Sequence, residues 1–268
     1  MVGASQNYIY SGTSRNAEAR LSRVIYRDAS RKTTLSLKAF QRESSNFIDD
    51  TEIAVQRRVV GGWELGLGHR ELAGNTTLEA NLAYKRGTGA FGSRPSPEEA
   101  FDEGTSRFAL LTADASATLP FQLGGQPLRY SANWRIQSHR TPLTPQDRFA
   151  IGGRYTVRGF DGESSLSAER GWLLRSELAA PLGNSGQELY AGLDHGEVGG
   201  PSATLLAGRR LTGIVFGLRG AVGAMGAMGA MGTVGIWQYD VFVGAPLAKP
   251  QLLHTAPVTA GFNLNTSF

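Results

Sequence analysis

The sequence predicts an all-β protein, an antiparallel transmembrane β-barrel. Three observations lead there. Apolar and polar residues alternate with a period of two in segment after segment, the pattern of half-exposed strands. The segments run to about ten residues, the length a tilted strand needs to cross a bilayer, whereas strands of a soluble sandwich average about 5–6. One face is apolar but often small, and the other carries Arg, Lys, Glu, Asp and Asn in mid-strand, as lipid outside and a wet lumen inside require. In lipid every backbone N–H and C=O must be paired, so such strands must close into a barrel.

Strands are predicted at 18–27, 33–42, 50–59, 62–71, 76–86, 107–119, 127–138, 148–156, 170–180, 187–197, 208–221, 235–245 and 257–268, with 4–12 a candidate for one more. In 76–86, Leu78, Ala80, Leu82 and Tyr84 oppose Thr77, Glu79 and Asn81. In 107–119, Leu111, Ala113, Ala115, Ala117 and Leu119 oppose Thr112, Asp114, Ser116 and Thr118. In 127–138, Tyr130, Ala132, Trp134 and Ile136 oppose Arg129, Ser131, Asn133 and Arg135. In 257–268, Val258, Ala260, Phe262 and Leu264 oppose Thr259, Asn263 and Asn265, and the sequence ends on Phe268 in phase with the apolar set. A last strand finishing on Phe is a mark of bacterial outer-membrane barrels. Turn-forming residues separate the strands: DASRK at 28–32, Gly61-Gly62, Gly124-Gly125, LGNSGQ at 182–187 and VGGP at 198–201,.

Residues 220–237, GAVGAMGAMGAMGTVGIW, carry no charge over about 18 residues, long enough for a membrane helix,. Glycine recurs there at every third position from Gly220 to Gly235, and each interior glycine costs a helix about 1 kcal/mol relative to alanine. The segment therefore reads as a flexible turn lengthened by tandem AMG units.

Composition narrows the function. The 268 residues suit a single all-β unit, and the 35 glycines suit many tight turns,. With Cys at 0, a disulfide framework and a thiolate metal site are excluded,. The net charge of +4 is mixed along the chain, without a basic stripe, so no nucleic-acid partner is expected,. His69, His139, His195 and His254 are scattered without ligand spacing, so no metal is expected,. There is no G-x-S-x-G elbow and no phosphate loop,. Asp194 and His195 are neighbours on a strand and point to opposite faces, so they form no dyad,. Asp49, Asp50 and Glu52 read as a solvated cluster at a strand end. The expectation is a protein with no enzymatic activity, no catalytic residue and no cofactor. No basic stretch leads into an apolar one after Met1, so no signal peptide is expected,.

The stretch GGRYTVRGFDGESSLSAERGW, Gly152 to Trp172, closely resembles the most characteristic segment of the TpsB transporters, outer-membrane partners in two-partner secretion and members of the Omp85 superfamily. The resemblance extends through RLSRVIYRDASRKT, FIDDTEIAVQRR, GWELGLGHRE, TPLTPQDRFAIGG, ELYAGLDHG, LAGRRLTG, YDVFVGAPL and VTAGFNLN, in order. It implies a barrel of sixteen strands in the family, of which about thirteen or fourteen are present here. It also implies that 1–268 is a partial C-terminal barrel domain, with the family's signal peptide and POTRA domains not visible. The family's long loop folds back into the lumen, and its tip would be Val157, Arg158, Gly159 and Phe160. The acidic partner on the inner wall would be Asp194, in Gly192-Leu193-Asp194-His195-Gly196. Strand parity agrees: Leu189, Ala191 and Leu193 share the apolar face, so Asp194 points inward with Tyr190 and Gly192,. The alternative for Asp194 is a carboxylate solvated in the wet lumen, and the wet lumen would in any case weaken the pair. Phe262, Leu264 and Phe268 would form the C-terminal barrel signal.

The function implied is translocation of a large extended exoprotein, an adhesin or haemolysin, through the bacterial outer membrane, here by a truncated chain expected not to secrete. Alternatives are a barrel-assembly factor, a passive porin and an outer-membrane lipid hydrolase. The partners implied are the secreted TpsA-type exoprotein, outer-membrane lipid and the barrel-assembly machinery. Two features depart from the family. The AMG units lengthen a usually short connection, and 87–106 is long for what the strand parity makes a periplasmic turn.

Overall fold

A computed structural model describes residues 9–222 and 236–267. Its strands are β1 (Tyr10–Arg27), β2 (Arg31–Ile48), β3 (Thr51–Glu52), β4 (Arg58–Ala73), β5 (Thr76–Thr88), β6 (Ala109–Leu123), β7 (Gln126–His139), β8 (Phe149–Ile151), β9 (Leu166–Ala168), β10 (Arg170–Pro181), β11 (Gln187–Gly199), β12 (Arg210–Val222), β13 (Ile236–Ala248) and β14 (Thr259–Ser267). The sheet order is β1-β2-β4-β5-β6-β7-β10-β11-β12-β13-β14, with β3 beside β2, and β8 pairs with β9 separately. Order in the sheet follows order in the chain, so the strands run up and down. The all-β, antiparallel expectation is met.

Local chemistry sets the turns. Asp28 closes the β1–β2 hairpin by accepting from the Ser30 amide at 2.8 Å and the Arg31 amide at 2.7 Å. The Tyr26 hydroxyl and these amides hold its carboxyl at about 2. Short connections at 28–30, 74–75, 124–125 and 182–186 alternate with long ones at 49–57, 89–108, 140–169, 200–209 and 249–258. In an up-and-down sheet the two kinds emerge at opposite ends.

Three of the expected strands differ. Residues 50–59 are not one strand: Asp49 and Asp50 turn at φ 46° and 63°, and Ala54–Gln56 form a 3-10 turn. Losing that strand inverts the parity of the strands from 62–71 to 127–138, and the absence of 148–156 from the main sheet restores it from 170–180 onward. The 87–106 segment therefore joins the long-connection end, and its length is no longer anomalous. Residues 148–156 keep only the short β8, because Gly152 turns the chain at φ 114°. No separate strand occupies 4–12: β1 begins at Tyr10 and runs on to Arg27. Most of the AMG segment, residues 223–235, and the terminal Phe268 lie outside the described residues.

The chain divides into two compact units. The first comprises 1–69, 81–113 and 137–148, and its core is Phe40, Val60, Phe108, Leu110 and Leu143. The second comprises 70–80, 114–136 and 149–268. One of its cores gathers Phe149, Ile151, Val157, Phe160, Leu166, Leu173, Val198 and Leu211, and another gathers Ala179, Tyr190 and Val215.

Burial alternates strictly along β11. Tyr190, Gly192, Asp194, Gly196 and Val198 are enclosed, while Leu189 and Leu193 are 50% and 52% exposed. Leu178 on β10, Phe216 on β12 and Val241 on β13 are exposed likewise. A soluble sheet would bury its leucines and solvate its aspartate. The reverse arrangement is that of a wall with lipid outside and polar groups within.

Candidate functional site

The site lies in the second unit, where the connection between β8 and β9 packs against β10–β13. Its entry is a turn built on Thr156, whose Oγ1 accepts from the Gly152 and Gly153 amides at 3.1 and 3.0 Å. The turn delivers Val157 and Phe160 into the core beside Ile151, Leu173 and Leu211. Arg158 between them is aimed at the wall.

Arg158 forms a fork with Asp194. Its Nε donates to Asp194 Oδ2 at 2.7 Å and its Nη2 to Oδ1 at 2.8 Å. Its backbone amide donates to the same Oδ2 at 2.9 Å. The remaining arm, Nη1, donates to Glu177 Oε2 at 2.7 Å. This planar, bidentate geometry is specific to a guanidinium and a carboxylate. Asp194 is 0% exposed and Arg158 7%. Burial opposes the charge on Arg158, but the hydrogen bonds and charge of Asp194 and Glu177 outweigh it and raise its pKa. Asp194 is sealed under the loop rather than solvated.

The wall is shaped to admit the loop. Gly213 on β12 stands where an added Cβ would lie 1.9 Å from the Arg158 carbonyl oxygen. At Gly192 a Cβ would meet Arg158 Nη2 at 2.6 Å, and at Gly244 it would meet Gly159 Cα at 3.0 Å. Gly159 adopts φ 95°, a conformation that favours glycine,. A Cβ on it would strike the Ala245 carbonyl oxygen at 2.5 Å.

Alternating charges continue along the inner face. Arg175 Nε lies 3.6 Å from Asp194 Oδ2. Arg219 reaches Glu177 at 2.7 Å and Glu188 at 3.0 Å, and Arg129 also pairs with Glu188. The Arg219 guanidinium lies 4.8 Å from the centre of the Tyr190 ring, and the Tyr190 hydroxyl donates to Asp240 at 2.7 Å. Further ties hold the loop. Asp161 accepts from the Ala256 amide at 2.6 Å, and Arg154 Nη2 donates to the Phe262 carbonyl at 3.1 Å.

Val157, Arg158, Gly159, Phe160 and Asp194 are therefore brought together. Phe262 and Leu264 stand exposed on β14 and contribute no side chain to the cluster. Sequence reading missed Glu177, Arg175, Arg219 and the receiving glycines Gly213 and Gly244. Cross-strand register places two of them, because Arg175 pairs with Asp194 and Glu177 with Gly192 across the β10/β11 ladder. Among the described residues no cluster of His, Cys, Asp and Glu is suited to a metal ion.

Residues 1–220 match the family model described as haemolysin secretion/activation protein ShlB/FhaC/HecB. Outer membrane transporter CdiB-2 of Burkholderia pseudomallei (strain 1026b) is 34% identical over 268 residues, 100% of this chain and 44% of its own length. CdiB of Dickeya dadantii (strain 3937) is 26% identical over 96% of this chain and 44% of its own. The solved structure of CdiB from Acinetobacter baumannii matches with a TM-score of 0.81 at 34% identity, over 98% of this chain and 44% of that one. BamA from Haemophilus ducreyi shares the fold, with a TM-score of 0.62 at 12% identity. The chain thus spans less than half the length of these CdiB relatives. On these matches, the chain belongs to the haemolysin secretion/activation family of two-partner secretion transporters, and its strands are those of a bacterial outer-membrane β-barrel of the Omp85 superfamily.

Proposed function

We propose that this chain supplies the barrel wall and folded-back loop of a pore that passes an extended partner exoprotein, an adhesin or haemolysin, across the outer membrane. Arg158 and Asp194 act as its latch, holding the loop in the seated position from which the passenger engages and then displaces it. The observation that carries this reading is the sealed fork between them, which ties loop backbone and side chain to one wall carboxylate. A loop held by apolar contacts alone would have no such discrete release point. The chain's own role is mechanical and electrostatic, without a chemical step. Residues 1–268 correspond to the barrel portion of the longer relatives. The fold is shared with BamA, but the sequence likeness to CdiB favours transport over barrel assembly.

The test grafts residues 1–268 in place of the matched portion of CdiB from Acinetobacter baumannii and measures export of that transporter's partner. Arg158→Ala and Asp194→Ala should each insert normally and lower export by about tenfold or more, the factor that 1.4 kcal/mol represents. Export at the unsubstituted graft's level by both variants would reject the latch.

A further inference from the structure

We propose that Asp147 is a second anchor of the same loop, a positioning residue that pins the loop's N-terminal arm through Arg42 and Lys85. The proposal rests on reading the loop as a latch, but its evidence lies wholly in the first unit. Asp147 sits in the connection 140–169, upstream of Arg158, and is only 8% exposed. Its Oδ2 accepts from Arg42 Nη2 on β2 at 2.9 Å and from Thr144 Oγ1 at 3.2 Å. Lys85 Nζ on β5 lies 3.9 Å from its Oδ1. Gln137 Nε2 donates to its carbonyl oxygen at 2.8 Å.

The surroundings form a built seat. Leu143 is 0% exposed within the core of Phe40, Val60, Phe108 and Leu110, and Thr144 is 1% exposed. Gly104 closes one side, since a Cβ there would lie 2.8 Å from the Thr144 amide nitrogen. Lys85 Nζ lies 4.6 Å from the centre of the Phe40 ring and 5.3 Å from that of Phe108. The aromatic faces stabilise an ammonium and exclude water, which strengthens its attraction to the neighbouring carboxylate. The polarity is the reverse of the latch. At Asp147 the loop carries the acid and the strands the bases. At Arg158 the loop carries the base and the strands the acids.

The test uses the full chain folded into lipid vesicles and follows protease cleavage of the 140–148 arm, with electrophoretic heat-modifiability reporting an intact barrel. Asp147→Asn, which keeps shape and removes charge, should raise cleavage of the arm about tenfold while the barrel stays folded. Arg42→Gln tests the same pair from the strand side and should act likewise, so the proposal stands or falls even where one variant does not fold. Charge reversal with Asp147→Arg, Arg42→Asp and Lys85→Met should restore protection. Wild-type protection in both single variants would overturn the anchor. So would failure of the folded reversal variant to protect better than the singles. Arg158→Ala should leave this arm protected; that control separates failure of the anchor from failure of the latch.

Discussion

Asp194 and Gly213 are partners across the β11/β12 ladder. One supplies the charge that holds Arg158, and the other supplies the space for its carbonyl, since a Cβ on Gly213 would lie 1.9 Å from that oxygen. Seating the loop therefore needs a carboxylate and an open space side by side on adjacent strands. Gly213→Ala should expel the loop tip without touching any charge. Protease access to 157–163 should rise as in Arg158→Ala, and unchanged protection would show that the wall yields instead.

Arg158→Lys should behave nearly as Arg158→Ala. Arg158 divides its donors between Asp194 and Glu177 in fixed directions, and an ammonium is a point charge without that fork. Breaking a buried pair costs about 3–5 kcal/mol. The low end is expected here, because Asp194 keeps Arg175 at 3.6 Å and Glu177 keeps Arg219 at 2.7 Å. Denaturant unfolding of the vesicle-inserted chain measures it, and a cost under about 1 kcal/mol, typical of an exposed pair, would contradict burial.

The loop's tie to the β13–β14 connection should depend on acid. The Ala256 amide bonded to Asp161, with the Glu163 amide and the Thr255 hydroxyl nearby, holds its carboxyl below the ordinary value of 3.8. A group depressed on folding contributes stability above its unfolded pKa and loses it as pH falls through the folded one. The tie is therefore complete above about pH 4 and fails below it. Hydrogen exchange at Ala256 should quicken over that range, and Asp161→Asn should remove the acid dependence. A dependence that survives the substitution would assign it elsewhere.

Two inward rings cover glycines. A Cβ on Gly217 would lie 2.4 Å from Tyr190 Cζ, and one on Gly261 would lie 2.7 Å from Phe242 Cζ. Gly217→Ala should cost about 1–3 kcal/mol through overpacking. Tyr190→Phe should cost about 1 kcal/mol by losing the hydroxyl bond to Asp240,. A Gly217→Ala variant as stable as the unsubstituted chain would mean that the ring moves freely.

Much of the wall was legible because period two is a local property. The faces of β11 follow from Leu189, Ala191 and Leu193 without knowledge of any neighbour. The segment 50–59 misled because its alternation is real, while the turn at Asp49-Asp50 depends on left-handed backbone that two aspartates tolerate,. Loop tip and wall partner were legible through the resemblance. Glu177 and Gly213 were not, because each gains its meaning from cross-strand register, which pairs them with Gly192 and Asp194. Burial of Asp194 was missed for the same kind of reason: strand parity gives a direction and says nothing about what covers it.

The central claim is that the loop must leave the wall for transport. The sequence has 0 cysteines, so a cysteine pair is unique. A Cβ on Gly196 would lie 3.1 Å from Val157 Cγ2, a separation suited to a disulfide between Val157→Cys and Gly196→Cys. Export by the graft carrying this pair should stop when the disulfide forms and return on reduction, with each single cysteine indifferent to oxidant. Equal export by the oxidised and reduced pair would contradict the account, because the loop would then never need to move.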